Sequence, residues 1–136
     1  MKNISFFILL FLTTTLAILF LPSCVSQVYP NMLGKWEVFI YQVAPVGIFL
    51  DFYITNQSGG VFSGEGVVPD GVFGTIFGLV QPNGEVAIAI SVTVEHSTDQ
   101  SMSFQGKMIS VNDMSGDYTM FKNNQVLYTG FWTAHR

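Results

Sequence analysis

Apolar and polar residues alternate along the chain from Gly34 to the C-terminus, and clusters of turn-forming residues interrupt the alternation at short intervals. Such alternation predicts β-strands with one buried face, because successive strand side chains point to opposite sides of a sheet. Two of the breaks, Pro69-Asp70-Gly71 and Pro82-Asn83-Gly84, combine a proline that presets φ with a glycine that accepts positive φ. Seven breaks in all leave eight predicted strands.

The alternation places apolar residues on one face of every predicted strand. The first strand contributes Trp36, Val38 and Ile40 to this face, with the charged Lys35 and Glu37 opposite. On the later strands the apolar face is predicted to include Val72, Gly74, Ile76, Phe104, Met108, Met114, Tyr118, Val126, Tyr128, Gly130 and Trp132. Eight such strands fit a sandwich or a barrel, and the hairpin connections favour an all-β, eight-stranded antiparallel up-and-down barrel. A membrane barrel has the reverse pattern, an apolar exterior around a polar lumen.

The inward face also carries a glycine pattern, in which an apolar residue, one spacer and a glycine recur five times. Phe62-Ser63-Gly64 and Ile76-Phe77-Gly78 are two examples. Glycine within a strand marks strong curvature or close packing. The pattern therefore predicts a tightly coiled sheet whose bulky residues fill the interior. The alternative is a cavity for an apolar ligand such as a lipid tail, lined by Phe104, Met108, Met114, Tyr118 and Tyr128.

The first 23 residues have the order of a secretory signal peptide: a short basic start, an apolar run over residues 4–21, and small residues at its end. Leu21-Pro22-Ser23-Cys24 resembles a bacterial lipobox. That resemblance implies a lipid such as palmitate on Cys24 and a place in the bacterial cell envelope. The residues that follow predict a tether over residues 24–31 and a barrel domain over residues 32–136. The alternative is an uncleaved membrane anchor over residues 4–21. The length of this segment, 18 residues, is near the lower limit for a helix that spans a bilayer.

Charge and the reactive residue types exclude several functions. The net charge is −4 at pH 7, whereas nucleic-acid binding needs clustered Lys and Arg. His96 and His135 are the only histidines and Cys24 is the only cysteine, so neither a zinc site nor an intrachain disulfide is predicted. No catalytic or phosphate-binding motif is present, and paired carboxylates are not brought together by the pattern. We predict a non-enzymatic protein without a cofactor.

Both ends of the barrel domain carry a family resemblance. Gly34-Lys35-Trp36, together with the ending Trp132-Thr133-Ala134-His135-Arg136, resembles the calycin superfamily, which includes lipocalins, avidins and bacterial metalloprotease inhibitors. The resemblance implies that Arg136 packs over Trp36 and closes one end of the barrel through a cation–π contact. Avidins are the most similar in size and texture. The biotin site does not carry over, because Gly66 stands where avidins have a tyrosine.

The outward face carries an unusual number of aromatic residues, on strands one, two and four: Phe39, Tyr41, Phe49, Tyr53, Phe73 and Phe77. An exposed aromatic patch of this size indicates an interface with a second copy, another protein or the nearby membrane, unless loops or the tether cover it. Two functions therefore stay open for a lipid-anchored envelope protein. One is a barrel that binds a small apolar ligand, and the other is an interaction or inhibitor protein with a packed barrel.

Overall fold

The computed structural model describes residues 26–41, 47–69, 71–92 and 100–136. They form eight strands: β1 Gly34–Tyr41, β2 Ile48–Ser58, β3 Val61–Val68, β4 Gly71–Val80, β5 Glu85–Val92, β6 Gln100–Met108, β7 Asp113–Lys122 and β8 Gln125–His135. Each break predicted from the sequence coincides with a connection between two of these strands, although β2 continues to Ser58 into the break predicted over residues 56–60. Strands of 8 to 11 residues, at a rise of about 3.3 Å per residue and a tilt of about 40°, make a barrel of about 20–30 Å in height.

All neighbouring strands pair antiparallel in chain order, and β8 pairs with β1 to close the ring. The predicted eight-stranded up-and-down barrel is thus confirmed. We call the end at which β1 begins the lower end and the opposite end the upper end. Residues 26–136 contain the complete closed sheet and one continuous apolar core. These are the properties of a domain that folds on its own.

Three bulges change which residues face inward. On β2 the pairing shifts between Ile54 and Asn56, so Gln57 and not Asn56 is partly buried. The other two bulges lie on β4 and β8.

Gly66 pairs with Gly74 and Val67 pairs with Val72, so Phe73 is an extra residue on β4. Phe73 is therefore partly buried against the core, while Val72 is 54% exposed. The predictions of an inward Val72 and an outward Phe73 are wrong. A one-residue bulge reverses the faces beyond it, because side chains alternate with a period of two.

The third bulge lies near the start of β8. Met120 pairs with Tyr128 and Phe121 pairs with Val126, which leaves Leu127 as the extra residue. The prediction that Val126 faces inward is therefore wrong, since its side chain is 61% exposed. Tyr128 shares the inward face with Met120 but is 51% exposed, so it is not a buried core residue as predicted.

Aromatic rings fill the lower and middle parts of the barrel. Phe104 packs edge-on against Phe52 and Trp132, with ring centroids 5.5 Å apart in both pairs. Glycines make room for such rings. The Phe62 ring lies on Gly78 of the paired strand, and the Trp132 ring lies 3.0 Å from the position of a Cβ on Gly106. In this part of the barrel the inward glycines hold aromatic side chains and leave no cavity.

The segment before β1 seals the lower end. Met32 is fully buried there, and its carbonyl accepts a hydrogen bond of 2.8 Å from Trp36 Nε1. Gln57 holds this segment in place, because its side chain accepts from the Met32 N–H at 2.7 Å and donates to the Pro30 carbonyl at 2.8 Å. Arg136 covers the outside of this plug, with Cζ 4.7 Å from the Trp36 ring centroid. The contact implied by the calycin resemblance is present.

Several sequence predictions lie outside the described residues. They are the signal peptide over residues 1–23, the lipidation of Cys24, the start of the tether, and the loop that contains His96. In the four ranges that the structure describes, no helix has the length and apolar character needed to cross a membrane.

Candidate ligand-binding site

The two ends of the barrel differ in how well their inward side chains are covered. At the lower end Trp36, Val80, Met114 and Ala134 are each at most 3% exposed. At the upper end the inward side chains Ile48, Val68, Phe73 and Met120 are only partly buried, and Tyr128 is half exposed. We call these five residues the upper mouth. The upper mouth is an apolar rim whose side chains are partly exposed.

The wall just inside the upper mouth has room at one glycine. A Cβ on Gly66 would meet no atom closer than 3.8 Å, the nearest being the Gly74 carbonyl oxygen and Ile90 Cδ1. Gly74 opposite offers no such room, since a Cβ there would lie 2.8 Å from Ile90 Cγ2. Gly66 is therefore an inward position with room for one additional methyl group in ordinary van der Waals contact.

Tyr118 is an inward residue of β7 that lies near Tyr128 of the upper mouth. Its side chain is 2% exposed, and its ring lies against Gly130 of the paired strand and 6.1 Å from the Phe104 ring. Its hydroxyl is buried and has no hydrogen-bond partner among the residues that the structure describes. Burial raises the pKa of the Tyr118 phenol above its ordinary value, and the neighbouring Tyr128 adds to the rise. The phenol is therefore an uncharged hydrogen-bond donor at neutral pH.

The five predicted ligand-binding residues lie at different positions along the barrel, with Phe104 paired to Tyr118 in the middle of their strands. Met108 pairs with Met114 near the lower end, where β6 ends and β7 begins. Phe104 is fully buried in the aromatic layer. Tyr118 and Tyr128 are the two members that reach the upper part of the barrel, where Met120, also predicted to face inward, pairs with Tyr128. Position along the strand, counted from the turns, is the signal that would have separated the two groups.

The outward aromatic residues form two separate surfaces. Phe39 contacts Tyr41 and Phe49 with ring centroids 4.5 Å apart, and Phe131 on β8 pairs with Tyr41. We call Phe39, Tyr41, Phe49 and Phe131 the outer aromatic patch; Phe49 and Phe131 are 71% and 68% exposed. Phe77 lies on β4 beyond β3, next to Leu79 and Ala89.

Charged residues lie between these two surfaces. Lys35 Nζ is 3.2 Å from Glu37 and 3.0 Å from Asp51, and the hydrogen bonds to Asp51 and Glu37 raise the pKa of the lysine. Tyr53 is 39% exposed and pairs with Lys35 on one side and Glu65 on the other. Of the predicted interface residues, Phe39 and Phe49 are in contact, whereas Tyr53, Phe73 and Phe77 lie apart from them.

A groove of about 690 Å³ runs along the outside of the lower end, between the segment that contains Gln27 and Tyr29 and the turn between β4 and β5. Its floor is formed by outward residues such as Val61, Leu79 and Ala87. Among the described residues no polar or charged side chain is buried, so the groove contains no buried polar side chain that could hold a ligand. Over the same ranges, no group of three His, Cys, Asp or Glu residues is placed to hold a metal ion.

Comparisons with known proteins agree with the barrel architecture. No protein-family model matches the chain, and neither does any curated protein. Solved structures of redesigned β-barrels are similar to it. One is mFAP1 bound to DFHBI, with a TM-score of 0.55 at 14% identity over 77% of this chain and 94% of that chain. Another, EF1p2_mFAP2b bound to DFHBI, has a TM-score of 0.53 at 16% identity over 77% and 93%. At this identity the likeness shows the small-barrel fold alone.

Proposed function

We propose that this protein is a non-catalytic, lipid-anchored binding barrel of the bacterial cell envelope that takes a small apolar ligand through the upper mouth. The observation that carries the proposal is the difference between the two ends. The lower end is plugged by Met32 and Trp36, while the upper mouth presents partly exposed apolar side chains. Apolar pockets with few polar groups are the usual form of small-molecule sites. The similar redesigned barrels bound to DFHBI support it as a precedent for this architecture.

The position of the anchor fits access from the water side. Cys24 precedes the first described residue, Ser26, by two positions in the sequence. The chain from Gln27 to Met32 lies at the lower end. A lipid on Cys24 would therefore hold the lower end against the bilayer and direct the upper mouth away from it.

Ligand binding is tested with N-phenyl-1-naphthylamine, a neutral fluorophore whose emission rises in apolar surroundings, added to residues 26–136. We expect saturable binding that falls at least tenfold in affinity in Gly66→Leu, whose side chain would occupy part of the proposed ligand space. Val72→Leu is the matched control, because it adds the same side chain on the outer face at the same end. Circular dichroism and thermal unfolding establish that both variants fold. Absence of saturable binding, or equal affinity in Gly66→Leu, would overturn the proposal.

The anchor is tested in the full chain, expressed in bacteria with labelled palmitate. Cys24→Ser should lose the label and leave the membrane fraction, while Ser26→Ala should behave as the wild type. A Cys24→Ser protein that stays in membranes would instead support the uncleaved anchor over residues 4–21.

The outer aromatic patch supports a second function, self-association. Four contiguous aromatic residues with two of them about 70% exposed are more than a soluble surface normally carries. Sedimentation velocity on residues 26–136 is expected to show a dimer that Phe49→Ser dissociates. Phe77→Ser, on the separate surface, should leave the dimer intact. A monomer across the micromolar range would exclude a second copy as the partner.

A further inference from the structure

Tyr118 indicates which polar group the proposed ligand carries. We propose that the ligand carries one uncharged hydrogen-bond acceptor, such as a ketone, ester or amide carbonyl, and that the Tyr118 hydroxyl donates to it. This inference rests on the proposed binding function and extends it from an apolar ligand to an apolar ligand with a single polar atom.

The hydroxyl of Tyr118 lies in a place where an unpaired polar group is costly. Tyr118 is only 2% exposed, and its hydroxyl oxygen has no hydrogen-bond partner in the described part of the chain. A buried donor without a partner costs about 1–3 kcal/mol relative to a satisfied one. Phenylalanine would fill the same volume without that cost. A ligand acceptor at hydrogen-bond distance from the hydroxyl removes it.

The ring of Tyr118 is held so that its hydroxyl has a defined position. Gly130 on the paired strand provides the space for the ring, which lies 2.9 Å from the position of a Cβ on that glycine. Phe104 packs beneath it at 6.1 Å between centroids. A donor fixed by packing loses little entropy when it binds, which favours a specific hydrogen bond over a non-specific contact.

The surroundings select an uncharged acceptor. Among the described residues no polar or charged side chain is buried, so the interior offers no cation to a carboxylate. An ionised group in such an interior loses its hydration without compensation. Four residues of the upper mouth are apolar and would contact the body of the ligand: Ile48, Val68, Phe73 and Met120. A neutral carbonyl on an apolar body meets both requirements.

The test uses a matched pair of probes, butyrophenone and butylbenzene, which differ by one carbonyl oxygen. Each displaces N-phenyl-1-naphthylamine from residues 26–136 of the wild type and of Tyr118→Phe. The four dissociation constants form a double-mutant cycle, in which the difference in hydration of the two probes cancels. We expect Tyr118→Phe to reduce the advantage of butyrophenone over butylbenzene about fivefold to tenfold, as for the loss of one neutral hydrogen bond. Tyr53→Phe, on the outer face, should leave the ratio unchanged.

The outcomes separate this inference from the function on which it rests. If both probes bind and the ratio is the same in Tyr118→Phe, the inferred hydrogen bond is wrong and the binding function stands. If neither probe nor the fluorophore binds, the proposed function itself fails. A third probe, 4-phenylbutyrate, should bind at least tenfold more weakly than butyrophenone. Tighter binding of 4-phenylbutyrate would overturn the choice of an uncharged acceptor.

Discussion

The guanidinium of Arg136 lies over the indole ring of Trp36, 4.7 Å from Cζ to the ring centroid, although 100 positions separate the two residues in the chain. Arg136 Nη1 also donates to the carbonyls of Asn31 and Leu33, at 3.0 and 3.3 Å. One side chain therefore joins the end of β8 to the segment that plugs the lower end. The barrel is closed at this end by side-chain contacts in addition to the pairing of β1 with β8.

Arg136→Ala removes this closure. We expect a loss of about 1–2 kcal/mol in the free energy of unfolding, since one cation–π contact and the hydrogen bonds to the plug disappear together. Urea unfolding of residues 26–136 measures the loss. Lys122→Ala, an exposed cation at the upper end, should change stability by less than about 0.5 kcal/mol. Equal stability of the Arg136→Ala variant and the wild type would show that the closure is dispensable.

Gln57 is the second residue that holds the plug. Gln57→Ala leaves the N–H of the buried Met32 without its acceptor, which we expect to cost about 1–3 kcal/mol. It should also increase hydrogen exchange at Met32 and Leu33 relative to the strands. Gln125→Ala is the control, because that side chain is exposed at the start of β8. If both substitutions have the same small effect, the Gln57 hydrogen bonds do not hold the segment.

Substitution by alanine is expected to have opposite effects on the stability of the barrel at Gly78 and at Gly66. Gly78→Ala places a methyl group against the Phe62 ring and should destabilise the barrel by about 2–3 kcal/mol. Gly66→Ala adds a methyl group in ordinary van der Waals contact and should stabilise it by up to about 1 kcal/mol, because it also reduces the entropy of the unfolded chain. Thermal unfolding of both variants checks the pair. Similar losses in the two variants would mean that there is no room for a methyl group at Gly66.

Tyr118→Phe is expected to stabilise the ligand-free barrel by about 1 kcal/mol, since it removes a buried hydroxyl without a partner. The pH dependence gives a second check. The pKa of Tyr118 is raised above 10.0 in the folded protein, so the unfolded chain ionises first as the pH rises. The wild type should therefore lose more stability than Tyr118→Phe above about pH 10. A lower stability of Tyr118→Phe at neutral pH would indicate that its hydroxyl is already satisfied.

The strands and their inward faces could be read from the sequence because strand periodicity and turn chemistry are local properties. Trp36, Phe52 and Ile88 illustrate this, since alternation alone placed each of them correctly. The faces of Phe73 and Val126 could not be read in this way. A bulge determines the face on which each of these side chains lies. The extra residue of a bulge cannot be recognised in the sequence, because apolar and polar residues alternate regularly on both sides of it.

The site required information that alternation does not contain. Alternation says which face a side chain occupies and not how far it lies along the barrel. Met114 and Tyr118 share the inward face of β7, yet the first lies in the sealed lower end and the second in the upper part. The role of Gln57 was equally hidden, because its partners, Pro30 and Met32, lie more than 20 positions away in the chain.

The binding function is tested most directly by the methionine methyl groups of residues 26–136, observed by NMR while butylbenzene is added. Met102 pairs with Met120 in the upper part of the barrel, and Met108 pairs with Met114 near the lower end. Substitution of each methionine by leucine assigns the signals. We predict saturable shifts of the Met102 and Met120 methyl signals, with those of Met108 and Met114 unchanged. Shifts confined to Met108 and Met114, or no saturable shift at all, would contradict binding through the upper mouth.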